Sequence, residues 1–200
     1  CGNIFVNYKK EDIFICSSAN GGLSTLIIGL TNSFSLKFAK NIAFNSGINI
    51  IDTILYSKIE ECRDPSELVD VVIIVGGIDG IGNVFDEKLF DYLKNVQYSN
   101  IVYVGTKQDA SFLGAQIPDL KVLGNIITDK LHVNGGELKE YLTNLYQADI
   151  VGKEDIKHLY AITANQIYST PYIVNRSLPL IDANFEVVNP FIVVDIGGAT

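Results

Sequence analysis

Residues 71–75 read Val-Val-Ile-Ile-Val, an unbroken β-branched run that stops at a glycine pair, Gly76-Gly77. A strand with one solvated face alternates apolar with polar residues. A strand without that alternation is buried on both faces, as in the interior of a parallel sheet. Parallel neighbours need crossover connections, most often helices, so such a run calls for helical stretches before and after it.

The rest of the chain supplies them. Residues 12–18 read as a strand entering a small-residue turn, Ala19-Asn20-Gly21-Gly22, and 23–30 as a second apolar run. In 34–46, Phe38, Ala39, Ile42 and Ala43 share a helical face, and Gly47 stands where a helix C-cap belongs. A strand at 48–55 and a short helix at 65–69 with Pro65 in its first turn are expected next. After the glycine pair, Phe85, Leu89, Leu93 and Val96 mark a helix, and 101–104 a strand. Further helices are expected at 109–116, 137–147 and 155–168, and strands at 122–127 and 191–194. In the helix at 137–147, Leu138, Tyr141, Leu142, Leu145 and Tyr146 recur at i, i+3, i+4, i+7 and i+8. The alternation predicts an α/β fold with a mostly parallel sheet between two helical layers. A polar stretch with Pro190 suggests a boundary, giving one α/β domain over 1–185 and the opening of another unit over 186–200.

Composition narrows the function classes. The chain is 48% hydrophobic and 19% charged, enough for a sizeable core. A net charge of −8 argues against a nucleic-acid surface, which needs clustered Lys and Arg; the pair Lys9-Lys10 reads as a solvated turn. Cys1, Cys16 and Cys62 have neither disulfide-framework nor zinc spacing, so no metal cluster is expected, and a reducing cytoplasm fits them. No apolar run is long enough for a membrane helix, and no basic-then-apolar leader is visible. The chain is expected to be a piece of a longer protein.

Three strings are candidates for chemistry. In Val193-Val194-Asp195-Ile196-Gly197-Gly198-Ala199-Thr200 a strand delivers a carboxylate to its end. Asp195 suits Mg²⁺ held through water. Gly197 and Gly198 allow close backbone approach to an anion, and the Thr200 hydroxyl follows. A tight turn after a buried strand is the alternative. In Gly76-Gly77-Ile78-Asp79-Gly80-Ile81-Gly82-Asn83 a glycine-rich loop joins a parallel strand to a helix N-terminus, a place for anions. It lacks the Gly-Lys-Ser/Thr of a Walker loop and the spacing of a dinucleotide fingerprint, so a structural turn is the stronger reading of Gly76, Gly77, Asp79 and Gly80. Cys16, at a strand end, has no paired base in the sequence and reads as a buried structural cysteine. His132 and His158 lack metal spacing and read as surface residues. No catalytic residue is assigned.

Four strings in order, CSSANGGL (16–23), GGIDGIGN (76–83), STPYIV (169–174) and VVDIGGAT (193–200), resemble the glutamate mutase (methylaspartate mutase) accessory proteins, also labelled MutL and distinct from the mismatch-repair protein. The resemblance runs from about Asp12 to Thr200 and is patchy over 56–70 and 107–136. It implies an ATPase of the actin, Hsp70 and sugar-kinase superfamily, with a ribonuclease H-like core, that reactivates an adenosylcobalamin-dependent mutase by exchanging damaged cofactor. By position, Asp195 resembles the Mg²⁺-associated acid of the second phosphate loop, and Gly197, Gly198 and Thr200 its ATP-contacting members. Ile81 is an extra residue relative to the usual glycine loop. The first phosphate loop and the adenosine motif are absent from residues 1–200, so no ATP turnover is expected of this chain. Against this stands a second reading, a stand-alone doubly wound enzyme binding a nucleotide or small molecule. Its ligand would lie on one sheet edge, between the turn at 16–22 and the loop at 76–83.

Overall fold

The computed structural model describes residues 9–17, 22–79, 82, 84–128, 132–152, 158–159, 161–163 and 167–185. The chain divides into two compact units: Asn20–Asp149, and Cys1–Ala19 with Ile150–Thr200. The stretch 1–185 read as one domain thus contributes to both.

The unit Asn20–Asp149 is built on a five-stranded, wholly parallel sheet. Its strands are β2 (Leu23–Gly29), β3 (Ile48–Leu55), β4 (Val69–Gly76), β5 (Tyr98–Gly105) and β6 (Lys121–Leu123), in the spatial order β3-β2-β4-β5-β6. The connections carry α1 (Lys37–Phe44), α2 (Glu87–Leu93) and α3 (Lys107–Gln116), and α4 (Gly136–Gly152) follows β6. Val71, Val72, Ile73 and Ile74 are wholly buried, as their unbroken apolar run requires. On one sheet face Leu26, Ile28, Val72, Ile74, Ile101 and Tyr103 share a core with Leu89 and Leu93 of α2 and Leu113 of α3. Ile27, Ile73, Val102 and Val104 alternate to the other face and are equally buried. The buried residues of α1 (Ala39, Ala43) and α4 (Leu138, Leu142, Tyr146) stand outside the first core, and Gly135, before α4, abuts the Ile42 side chain of α1. Helices thus flank the sheet, giving a three-layer α/β unit.

The register of the central pair is fixed by one carboxylate. Asp70 accepts from the Ser24 N–H and the Ser24 hydroxyl, both at 2.8 Å, and the Ser24 hydroxyl in turn accepts the Asp70 N–H at 3.0 Å. These bonds tie the starts of β2 and β4 and set Thr25 opposite Val71.

In the other unit β1 (Ile15–Ser17) pairs in parallel with β7 (Ile167–Ser169), and α5 (Thr170–Asn184) packs against both.

Three expectations change. Residues 65–68 form no helix; a 3₁₀ helix runs earlier, over Tyr56–Glu61, and Val69 is drawn into β4 by its N–H bond to the Gln97 carbonyl at 2.9 Å. Ile167 and Tyr168, read as the end of a helix, lie in β7 opposite Ile15 and Cys16, although His158, Leu159, Ala161 and Ile162 are helical. The strand expected over 122–127 closes at Leu123, and Ile127 instead makes an isolated antiparallel bridge to Val133. The strand expected at 191–194 lies outside the described residues.

Candidate functional site

The strand order β3-β2-β4-β5-β6 is that of a doubly wound sheet whose connections reverse direction between β2 and β4. From β2 the chain leaves toward β3, and from β4 it leaves the opposite way, toward β5. The two connections diverge, so a crevice opens where the strands end, and ligands of open α/β sheets bind in such crevices. A cavity of about 310 Å³ occupies this place.

Its first wall comes from the end of β2 and the start of the next helix: Leu30, Thr31, Phe34 and Ser35. Thr31 is extended (φ −140°, ψ 144°) and its hydroxyl accepts the Ser35 N–H at 3.1 Å, which caps the π-type turn Asn32–Leu36 leading into α1. A side chain at Gly29 would strike Leu36, at 2.8 Å, so this glycine lets the helix start sit directly on the strand end. The Thr31 and Ser35 hydroxyl oxygens lie 3.4 Å apart.

The second wall is the beginning of the glycine loop, Gly77 and Ile78, with Val84 from its end, and Ile127 adds an apolar side chain from the segment after β6. Gly77 has φ +70°, a left-handed conformation that favours glycine, and it turns the chain out of β4. Two groups pin this loop. Asn125 donates its amide to the Gly77 carbonyl at 3.2 Å and accepts the Ile127 N–H at 3.1 Å. Asp109, wholly buried at the start of α3, accepts the Val84 N–H at 3.2 Å and the Thr106 hydroxyl at 2.8 Å. Asp79 is exposed, with a carboxylate oxygen 3.5 Å from the same Asn125 amide.

Behind the cavity, Gly76 and Gly105 are register partners at the ends of β4 and β5. The Phe85 ring lies over Gly76, and the Tyr103 hydroxyl lies against Gly105. Burial pushes the Tyr103 phenol well above the ordinary tyrosine range, and its oxygen finds no partner of hydrogen-bonding geometry among the described residues.

Among the described residues the walls carry no ionisable side chain, so they offer apolar surface and two hydroxyls with no base beside them to activate either as a nucleophile. Among the described residues no group of three His, Cys, Asp or Glu is placed to hold a metal ion, and no helix is long and apolar enough to cross a membrane. His132 and His158 are exposed. Cys62 donates to the Lys58 carbonyl at 3.3 Å, and burial raises its thiol, which keeps it protonated. Cys16, read as a buried cysteine, is instead exposed, because β1 belongs to a two-stranded sheet.

Of the residues singled out in the sequence, Gly77 lines the cavity and Gly76 and Asp79 adjoin it; Gly80 lies outside the described residues. So do Asp195, Gly197, Gly198 and Thr200. The turn at 16–22 does not join the glycine loop on one sheet edge: Gly22 (φ +76°) precedes β2, at the amino end of the parallel sheet, and Gly76-Gly77 ends β4, at the carboxyl end. Leu30, Thr31, Phe34, Ser35, Val84 and Ile127 escaped sequence reading. The threonine four residues before Ser35, directly after an apolar run, is a capping signal, but only the strand order shows that it faces the glycine loop.

The MutL protein family profile matches residues 3–200. A curated relative, "Protein MutL" of Clostridium tetanomorphum, is 24% identical over 210 residues, covering 98% of this chain and 44% of that protein. The chain thus spans less than half the length of this relative. No solved structure matches it. With a family match over nearly its whole length, joined to four motifs in the family's order, the chain belongs to the MutL protein family.

Proposed function

We propose that this chain is the partner-binding α/β part of an accessory factor that uses ATP and Mg²⁺ to reactivate an adenosylcobalamin-dependent mutase of the glutamate mutase type, in the cytoplasm. The observation that carries the reading is the family match over residues 3–200. The character of the switch-point cavity supports a binding role over a catalytic one, since among the described residues its walls hold no side chain that titrates near neutral pH. A triphosphate is poorly matched to that cavity, because among the described residues no Lys or Arg lines it to offset the charge. On this reading ATP belongs to the motif at 193–200. There Asp195 would hold Mg²⁺ through water, the Gly197 and Gly198 backbone would approach the phosphates, and the Thr200 hydroxyl would donate to them. Bound ATP would supply the free energy of a conformational cycle. Stabilising a transferring phosphoryl group takes opposed loops, and only one such motif is in residues 1–200.

The test has two arms. Immobilised glutamate mutase is expected to retain the 200-residue chain with micromolar or tighter affinity, and failure to bind overturns the partner assignment. Phosphate release from ATP is expected to stay at the buffer rate; turnover that disappears in Asp195→Ala overturns the division of labour.

A further inference from the structure

The switch-point cavity has a more definite chemistry than its position alone requires. Its described surface is almost all apolar, yet the side chains lining it include one polar pair, the Thr31 and Ser35 hydroxyls. Two hydroxyls carry two O–H hydrogens, and a bond between them uses one. The Thr31 oxygen also accepts the Ser35 N–H, which consumes a lone pair and no hydrogen. Neither hydroxyl meets another acceptor among the described residues, so whichever donates to the other, one O–H is left to donate. Ser35 is only 3% exposed, so an O–H left on it is costly to leave unpaired, whereas Thr31 is exposed and an O–H left there is open to water until a ligand covers it.

Size gives a second constraint. An apolar cavity of about 150 Å³ accommodates a single benzene ring. At about 310 Å³ this one has room for two fused rings. Charge gives a third: among the described residues neither cation nor carboxylate lines the walls, so an ion would meet no compensation from them. On the β4 side two lining residues are held by hydrogen bonds, Gly77 through Asn125 and Val84 through Asp109, which lowers the ordering cost that binding places on them. Phe34, on the other side, is 44% exposed, apolar surface that a ring in the cavity would cover.

We propose that the cavity between the carboxyl ends of β2 and β4 is a binding site for a neutral, fused-ring aromatic group bearing one hydrogen-bond acceptor, with the Thr31–Ser35 pair as donor. The proposal stands apart from the ATP and mutase assignments, since it concerns a different part of the chain and a different ligand class.

The experiment is a titration of the isotope-labelled 200-residue chain with quinoline, followed by amide resonances, with naphthalene as the probe of equal shape and no acceptor. Quinoline is expected to shift the amides of Thr31 through Ser35 and of Gly77 and Ile78, and the shifts are expected to saturate. Naphthalene is expected to bind about tenfold more weakly, the factor that one ordinary hydrogen bond supplies. Ile78→Trp, which fills the cavity from the loop, is expected to weaken quinoline at least about tenfold while leaving the β5 amide pattern intact. Shifts elsewhere only, no saturation, equal binding of the two probes, or indifference to Ile78→Trp in a folded variant each overturn the proposal. The ligand comparison is made on the unaltered chain, so it holds even if the variant misfolds.

Discussion

Gly105 and Gly114 are near neighbours in sequence and opposite in what they tolerate. A methyl group at Gly105 would strike the Gly76 carbonyl and the Tyr103 ring, groups fixed by the β4–β5 ladder and by the core. At Gly114, exposed within α3, an added methyl meets nothing within 4 Å, and alanine is the better helix former. Gly105→Ala is therefore expected to destabilise the chain by about 3 kcal/mol, and Gly114→Ala to stabilise it by about 0.5–1 kcal/mol. Urea unfolding of the two variants checks both; a harmless Gly105→Ala would mean that the β4 and β5 ends do not approach this closely. The contrast shows what is legible at a single residue. Nothing in the residues flanking either glycine separates the two, and only the sheet register reveals that one faces a carbonyl.

At the scale of elements, α2 depends on a two-residue arrangement at its start. Asp86 accepts the Lys88 N–H at 3.0 Å, the Tyr56 hydroxyl donates to the same carboxylate oxygen at 2.6 Å, and the Asp86 N–H donates back to the Tyr56 oxygen at 2.9 Å. The Tyr56 hydrogen bond, then the Lys88 N–H, holds the Asp86 carboxyl below its ordinary 3.8, so its contribution is present above that value and lost as pH falls through the lower, folded one. Tyr56 is pushed up from 10.0 to about 12, first by burial and then by its bond to Asp86. Its contribution is full below 10.0 and fades as pH rises from there through about 12. Tyr56→Phe is expected to flatten part of the alkaline loss of stability, leaving the shares of the other tyrosines that burial raises, among them Tyr92, at about 12, and Tyr103. In that variant the Asp86 carboxyl is expected to titrate closer to 3.8, readable by carbon-13 resonance. An unchanged Asp86 titration would mean that Tyr56 does not donate to it. Asp86→Ala is expected to cost about 1 kcal/mol at neutral pH through the lost cap.

Elements whose burial pattern is internal are readable from their own residues: β2 and β4 by their apolar runs, α4 by its period. Those decided by a distant partner are not. Val69 looks like a helix end and becomes a strand because Gln97 and Tyr98 lie beside it. Ile167 looks helical and pairs with Ile15. The helix α5 has Pro179 in its interior, a residue that argues against a helix from sequence alone. For the candidate site the glycine loop is legible as a loop, while the hydroxyl wall opposite it is not, since which strands adjoin is not a local property.

At the scale of the molecule, residues 20–149 contain the whole five-stranded sheet, α1 to α3, all but the last three residues of α4, and the switch-point cavity. Made alone, this unit is expected to unfold in one cooperative transition by circular dichroism and fluorescence and to keep the quinoline-responsive amides; a molten, non-cooperative product would show that the remaining residues are needed for its core.

The strand order also governs how the unit is assembled as it is synthesised. The first two strands made, β2 and β3, become neighbours, and β2 is then interior while β3 is an edge. When β3 has left the ribosome, one side of β2 is paired and the other still presents bare amides and carbonyls, together with Leu26, Ile27 and Ile28, which the finished unit buries wholly. That open side waits for β4, and the wait is set by translation speed rather than by folding speed. A slow codon stretch between β3 and β4 would prolong the exposure of a sticky half-sheet, so aggregation in expression hosts should respond to codon choice there more than anywhere downstream of β5.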